Sequence, residues 1–120
     1  MAKDLRISFL MDFYGDMLTD KQKEVVQMYY NEDLSLGEIA QIAEITRQGV
    51  RDSIKRAEAT LIELEERLGL ARKFRQMEDE LEHIILCARE IAFDAEEMPQ
   101  GQPLVEKANE IERIADRLRE

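Results

Sequence analysis

The chain has 120 residues, 44% of them hydrophobic and 37% charged, with a formal net charge of -10 at pH 7. That length holds one domain, or a small domain with an appendage, around a modest core, and so strong an acidic balance disfavours non-specific attraction to phosphate. Only two prolines and five glycines leave the chain free to be helical throughout, and its one cysteine, Cys87, excludes an internal disulfide.

Leu5 to Met17 reads as a first helix, with Leu10, Phe13, Tyr14 and Met17 at helical spacing on its core side. Leu18 and Thr19 mark a stop and restart. Thr19 with Gln22 forms a capping box, and the second helix buries Val25, Val26, Met28 and Tyr29 before ending near Tyr30. Asn31, Glu32 and Asp33 make a polar connection. Ser35 with Glu38 then opens a short third helix whose apolar face holds Leu36, Ile39 and Ala40, the alanine small enough for a close helix crossing. Thr46 caps a fourth helix. With Ile45 as a wedge in the turn and Val50, Ile54 and Ala57 facing inward, residues 34–56 read as a helix-turn-helix.

The fourth helix runs on through Leu61, Leu64 and Leu68 without a breaker until Gly69, a rod of about 34 Å. The three-and-four spacing resumes in Leu70, Phe74, Met77, Leu81, Ile84, Ala88, Ile91, Ala95 and Met98, and Ile85, Leu86, Ala92 and Phe93 widen the stripe. Such a helix needs at least two neighbours. MPQGQP at 98–103 is the clear breaker of this half. Leu104, Ala108, Ile111, Ala115 and Leu118 then form a last helix that folds back antiparallel. The expectation is an all-α chain in two parts: a helix-turn-helix domain over 1–69 and an acidic helical hairpin over 70–120, the heptad-patterned helices forming a bundle. These stripes can be satisfied within one chain or between two, so a homodimer stays open.

The candidate site lies on the outer face of the fourth helix. Arg47, Arg51 and Lys55 recur every fourth residue there, beside Gln48 and the capping Thr46. Guanidinium groups pair with guanine edges or phosphates, the Gln48 amide reaches an adenine edge, and the helix start offers free N–H groups to a phosphate. The competing reading is an ordinary solvated face. Lys21 and Lys23, at the start of the second helix, could touch a backbone phosphate, but two lysines at a helix start read more readily as simply exposed.

No enzyme signature is present. The glycines are isolated, so no phosphate-cradling loop exists, and the sole histidine, His83, has no ligand spacing or nucleophile to serve and is expected at the surface. Glu78, Asp79, Glu80 and Glu82 read as a solvated face rather than a metal site, so no catalytic residue, metal or cofactor is expected. Cys87 reads as core filling. Neither a charged-then-apolar leader nor a bilayer-length apolar run is found, which points to the cytoplasm and away from membranes.

From about Phe9 to Leu70 the chain resembles the YlxM family of small bacterial helix-turn-helix proteins. LTDKQ, YYNEDLSLGEIA and the pattern Arg47, Gln48, Val50, Asp52, Ile54, Lys55, Arg56 carry that resemblance. More distantly it is similar to region 4 of sigma factors, whose reading helix contacts promoter DNA. The resemblance implies an all-helical protein, encoded beside the signal recognition particle GTPase, that acts in or regulates that pathway. Three positions depart from the family pattern: Glu44 stands at the usual turn glycine, Gly49 where alanine is usual and Arg51 where an aromatic is usual. A non-glycine residue costs about 1 kcal/mol if the turn stays left-handed. Two function classes follow. One is a regulator that binds DNA, or signal recognition particle RNA, through Thr46, Arg47, Gln48, Arg51 and Lys55. The other is an adaptor that docks on the particle's GTPase or on RNA polymerase without reading bases.

Overall fold

The computed structural model describes residues 1–119, and all regular structure among them is helical. Helix α1 spans Arg6–Tyr14 and passes into a 3-10 turn at Gly15–Met17; α2 is Asp20–Tyr30, α3 Leu36–Ala43, α4 Arg47–Leu68, α5 Leu70–Glu96 and α6 Gln102–Arg119. The first helix is therefore shorter than its apolar spacing implies. Met17 falls in the 3-10 turn and is exposed, while Leu10 and Tyr14 are buried.

The helix starts form as their caps dictate. In α2 the Gln22 N–H donates to Thr19 Oγ1 and the Thr19 N–H to Gln22 Oε1, both at 3.1 Å. Ser35 and Glu38 repeat the exchange in α3, again at 3.1 Å. Thr46 accepts the Gly49 N–H at 2.9 Å to open α4. Each cap satisfies donors that the helix cannot pair internally. At the other end of α4, Gly69 takes φ 63°, a left-handed cap that glycine enters without a Cβ penalty.

The chain divides into two compact units, the first running from Met1 to Ala71. In it α4 packs against α1, α2 and α3. Its first half sends Val50 and Ile54 into a core with Val25, Met28 and Tyr29 of α2 and Ile39, Ala40 and Ala43 of α3. Its second half sends Ala57 and Leu61 into a core with Ile7, Leu10 and Tyr14 of α1, Val26 of α2 and Ala71. One helix of 22 residues thus serves two clusters in succession. Tyr14 ties the outgoing chain to α1. Its hydroxyl donates to Glu65 Oε1 at 2.7 Å and accepts the Leu70 N–H at 3.0 Å, while the Ala71 N–H donates to the same carboxylate oxygen at 3.0 Å.

The second unit, from Arg72 on, is an antiparallel pair made of α5 and α6. Ion pairs of Arg89 with Glu112 at 2.9 Å and of Glu82 with Arg119 set its register. Ile85, Ala88 and Ala95 are buried on α5, with Val105, Ala108 and Ala115 on α6. The broad apolar stripe expected on α5 therefore splits. Its seam follows Ile85, Ala88 and Ala95, where alanines let the helices approach, and Met77, Ile84 and Ile91 fall outside it. Cys87, expected to fill the core, is exposed because it stands one residue off the seam.

Candidate nucleic-acid interface

Ala40 and Ala43 are buried against Val50 and Ile54, so α3 and α4 cross closely over small side chains. The turn between them is tightened by Glu44, which adopts φ 59° and ψ 40° and donates its N–H to the Ala40 carbonyl. The Ile45 N–H reaches the same oxygen at 3.1 Å. A glutamate thus holds the left-handed position that glycine would fill without strain.

That turn places Thr46, Arg47, Gln48, Arg51 and Lys55 at the surface while Val50 and Ile54 point inward. Arg47, Arg51 and Lys55 form one stripe at four-residue intervals, and none is in an ion pair with another described residue. Arg47 lies across the first turn of α3, where a Cβ added to Gly37 would stand 3.7 Å from its Nε. An open groove of about 630 Å³ runs there, lined by Ser35, Gly37, Glu38, Gln41, Thr46 and Arg47. It brings the capped starts of both helices and the Glu38 carboxylate beside a guanidinium group, a lining of mixed charge in which the helix starts and Arg47 favour an anion and Glu38 opposes one. Periodicity within α4 did not foretell this meeting, because it joins residues of two different helices.

Two sequence candidates have other employment. The Lys21 ammonium donates to the Ala43 carbonyl at 2.8 Å, satisfying the end of α3, and Lys23 pairs with Asp16 at 2.6 Å. Both lysines thus make contacts within the fold. The Gln48 amide donates to Asp52 Oδ1 at 3.0 Å, along its own helix. Reading a base with Gln48 requires that bond to open. Deeper on α4, Glu58 is half-buried and its carboxyl lies above the usual range, first through burial and also through the nearby Asp4 charge; Tyr30 and Lys55 oppose the shift.

Among the described residues no helix is long and apolar enough to cross a membrane. Comparison with known proteins follows the same architecture. Residues 1–98 match the family model described as "Putative helix-turn-helix protein, YlxM / p13 like". A UPF0122 protein of Acetivibrio thermocellus is 41% identical over 120 residues, covering 100% of this chain and 97% of the relative. One from Caldanaerobacter subterraneus subsp. tengcongensis is 52% identical over 83 residues, 69% of this chain and 71% of the relative. One from Bacillus pumilus is 38% identical over 112 residues, 93% and 98% of the two chains. The capping boxes, the close α3–α4 crossing and these matches agree: the chain belongs to the UPF0122 family of YlxM/p13-like helix-turn-helix proteins.

Proposed function

We propose that this protein is a DNA-binding regulator whose reading helix is the start of α4. The observation that carries the reading is the row of Arg47, Arg51 and Lys55, exposed and without an ion-pair partner among the described residues, on the outer face of a helix whose inner face is locked by Val50 and Ile54. An acidic protein that leaves three cations on one helix face concentrates its attraction for phosphate at one place. Arg47 and the start of α3 clamp a backbone phosphate, Arg51 and Lys55 extend along the groove, and Gln48 exchanges Asp52 for a base edge. Thr46 keeps the helix start in register. On the resemblance of its LTDKQ and YYNEDLSLGEIA phrases, we extend the role to regulation in the signal recognition particle pathway.

The test is fluorescence anisotropy of the full chain against labelled duplex DNA, signal recognition particle RNA and the particle's GTPase at several salt concentrations. Three phosphate contacts give a logarithmic salt slope of about -2.7 on duplex DNA. Changing Arg47, Arg51 and Lys55 together to Ala is expected to abolish that binding. An unchanged affinity in the triple variant rejects the reading. The net charge of -10 favours a second one, an adaptor that binds protein. It predicts salt-resistant binding to the GTPase alone, indifferent to the triple change. Salt-sensitive binding confined to the RNA would move recognition to loops or phosphates, because an A-form major groove does not admit a helix.

A further inference from the structure

The point of α4 farthest from the core is an acid. At about 100° per residue, Asp52 stands about 160° from Val50 on one side and from Ile54 on the other, and about 180° from Leu61, all three of them buried. Gln48 lies about 40° from it, one turn earlier, so these two side chains make the crest of the exposed face. The cations flank that crest. Arg51 and Lys55 fall about 100° and 60° to one side and Arg56 about 40° to the other. With Lys55 and Arg56 three and four residues on, the Asp52 carboxylate is nonetheless in no ion pair among the described residues; it accepts the Gln48 amide at 3.0 Å.

A helix laid in a major groove turns its crest to the base edges and its flanks to the phosphate walls. Arg51, Lys55 and Arg56 suit the walls. A carboxylate at the crest has no proton to donate, so guanine N7 and O6 and thymine O4 repel it, and only an amino group satisfies it. Adenine presents its amino group beside the N7 acceptor, whereas cytosine presents N4–H alone. Cytosine is therefore the base that fits Asp52. We infer that Asp52 is the specificity-determining residue of the reading helix, accepting a cytosine N4–H while the Gln48 amide that it releases reads a base nearby. One turn separates the two residues by about 6 Å along α4, which places their bases within about two steps of 3.4 Å. The inference rests on the DNA-reading role proposed above and adds the base. A competing role is local, since a Gln–Asp pair four residues apart also steadies a helix.

Selection of the full-length chain on a pool of duplexes with a randomised core tests it. The wild type is expected to enrich duplexes with a fixed cytosine, and anisotropy on an enriched duplex should show about tenfold weaker binding when that C·G pair becomes T·A. Asp52→Ala is expected to bind the two duplexes equally. Asp52→Asn, nearly the same shape, is expected to move the preference at that place from cytosine to adenine. Both changes are at an exposed position, and circular dichroism checks that the variants are folded. Duplex binding without a required cytosine overturns the inference and leaves the DNA-reading role standing. A cytosine preference that persists in Asp52→Ala does the same, and a lowered urea midpoint beside it would assign Asp52 to helix stability. A wild type that binds no duplex in the pool overturns the DNA-reading role and this inference with it.

Discussion

At the scale of single residues, two side chains occupy positions that cost stability, and both can be checked. Glu44 holds φ 59° at the end of α3, a conformation disfavoured for any residue with a Cβ by about 1 kcal/mol. Glu44→Gly is expected to stabilise the fold by up to about 1 kcal/mol, part of the gain being offset by the freer unfolded chain. A urea melt that shows a loss instead would mean that the Glu44 side chain makes a compensating contribution. Glu58 carries a cost that depends on pH. Its carboxyl, ordinarily titrating at 4.5, is raised in the fold chiefly by burial. The folded state therefore holds the proton more tightly than the unfolded chain, and the stability this confers is present below 4.5 and lost as pH rises through the folded value. Asp4 has the opposite sign: its bonds with Arg6 hold the carboxyl below its usual 3.8, so that its contribution disappears only in stronger acid. Glu58→Gln is expected to raise the urea midpoint at pH 7, with the advantage over wild type shrinking toward pH 4. An equal advantage at both pH values would assign the effect to packing rather than titration.

At the scale of elements, α4 is the shared wall of two apolar clusters, and its exit is held by polar atoms. The Tyr14 hydroxyl bridges Glu65 and the Leu70 N–H, and burial together with the adjacent Glu65 keeps its phenol above the usual range. Removing that oxygen leaves the Leu70 donor without its acceptor and the carboxylate short of one donor. Tyr14→Phe is therefore expected to cost about 2 kcal/mol, the range for a hydrogen bond to a charged group. Denaturant unfolding measures the loss, and hydrogen exchange should show it first at the start of α5. Ring packing is unchanged by this substitution, so a loss below about 0.5 kcal/mol would show that α5 is held by its apolar contacts alone. The amphipathic pattern of α1 could not announce this role. Tyr14 reads simply as a core aromatic, because its oxygen meets residues 51 and 56 positions away.

At the scale of the whole molecule, the two units have separate cores, and the second depends on one turn. A Cβ at Gly101 would meet the Ala95 carbonyl oxygen at 1.9 Å, a backbone atom that cannot yield without moving the end of α5. Gly101→Ala is expected to open the α5–α6 hairpin while the first unit keeps its fold. Amide exchange should then accelerate across α5 and α6 and stay unchanged in α1 to α4; faster exchange throughout would show that the units fold as one.

The parts that sequence alone determined are those governed by neighbours along the chain. Thr19 with Gln22, Ser35 with Glu38, and Thr46 announce their helices because a cap and the N–H groups it satisfies lie within three residues. The inward face of α4 and its exposed cationic stripe follow from a period of 3.6 residues, and so did the placing of Arg47, Arg51 and Lys55 on one surface. Tertiary structure decided what depends on groups distant in sequence. It directed Lys21 to the end of α3, laid Arg47 over the first turn of the preceding helix, and chose which of two adjacent rows on α5 became the seam with α6. Spacings of three and four fit both rows, since Ile84 and Ile85 differ by only about 100° around the helix. The choice fell to the row with Ala88 and Ala95, where a second helix can come close, and that left the row with Ile84 and Ile91 on the outside.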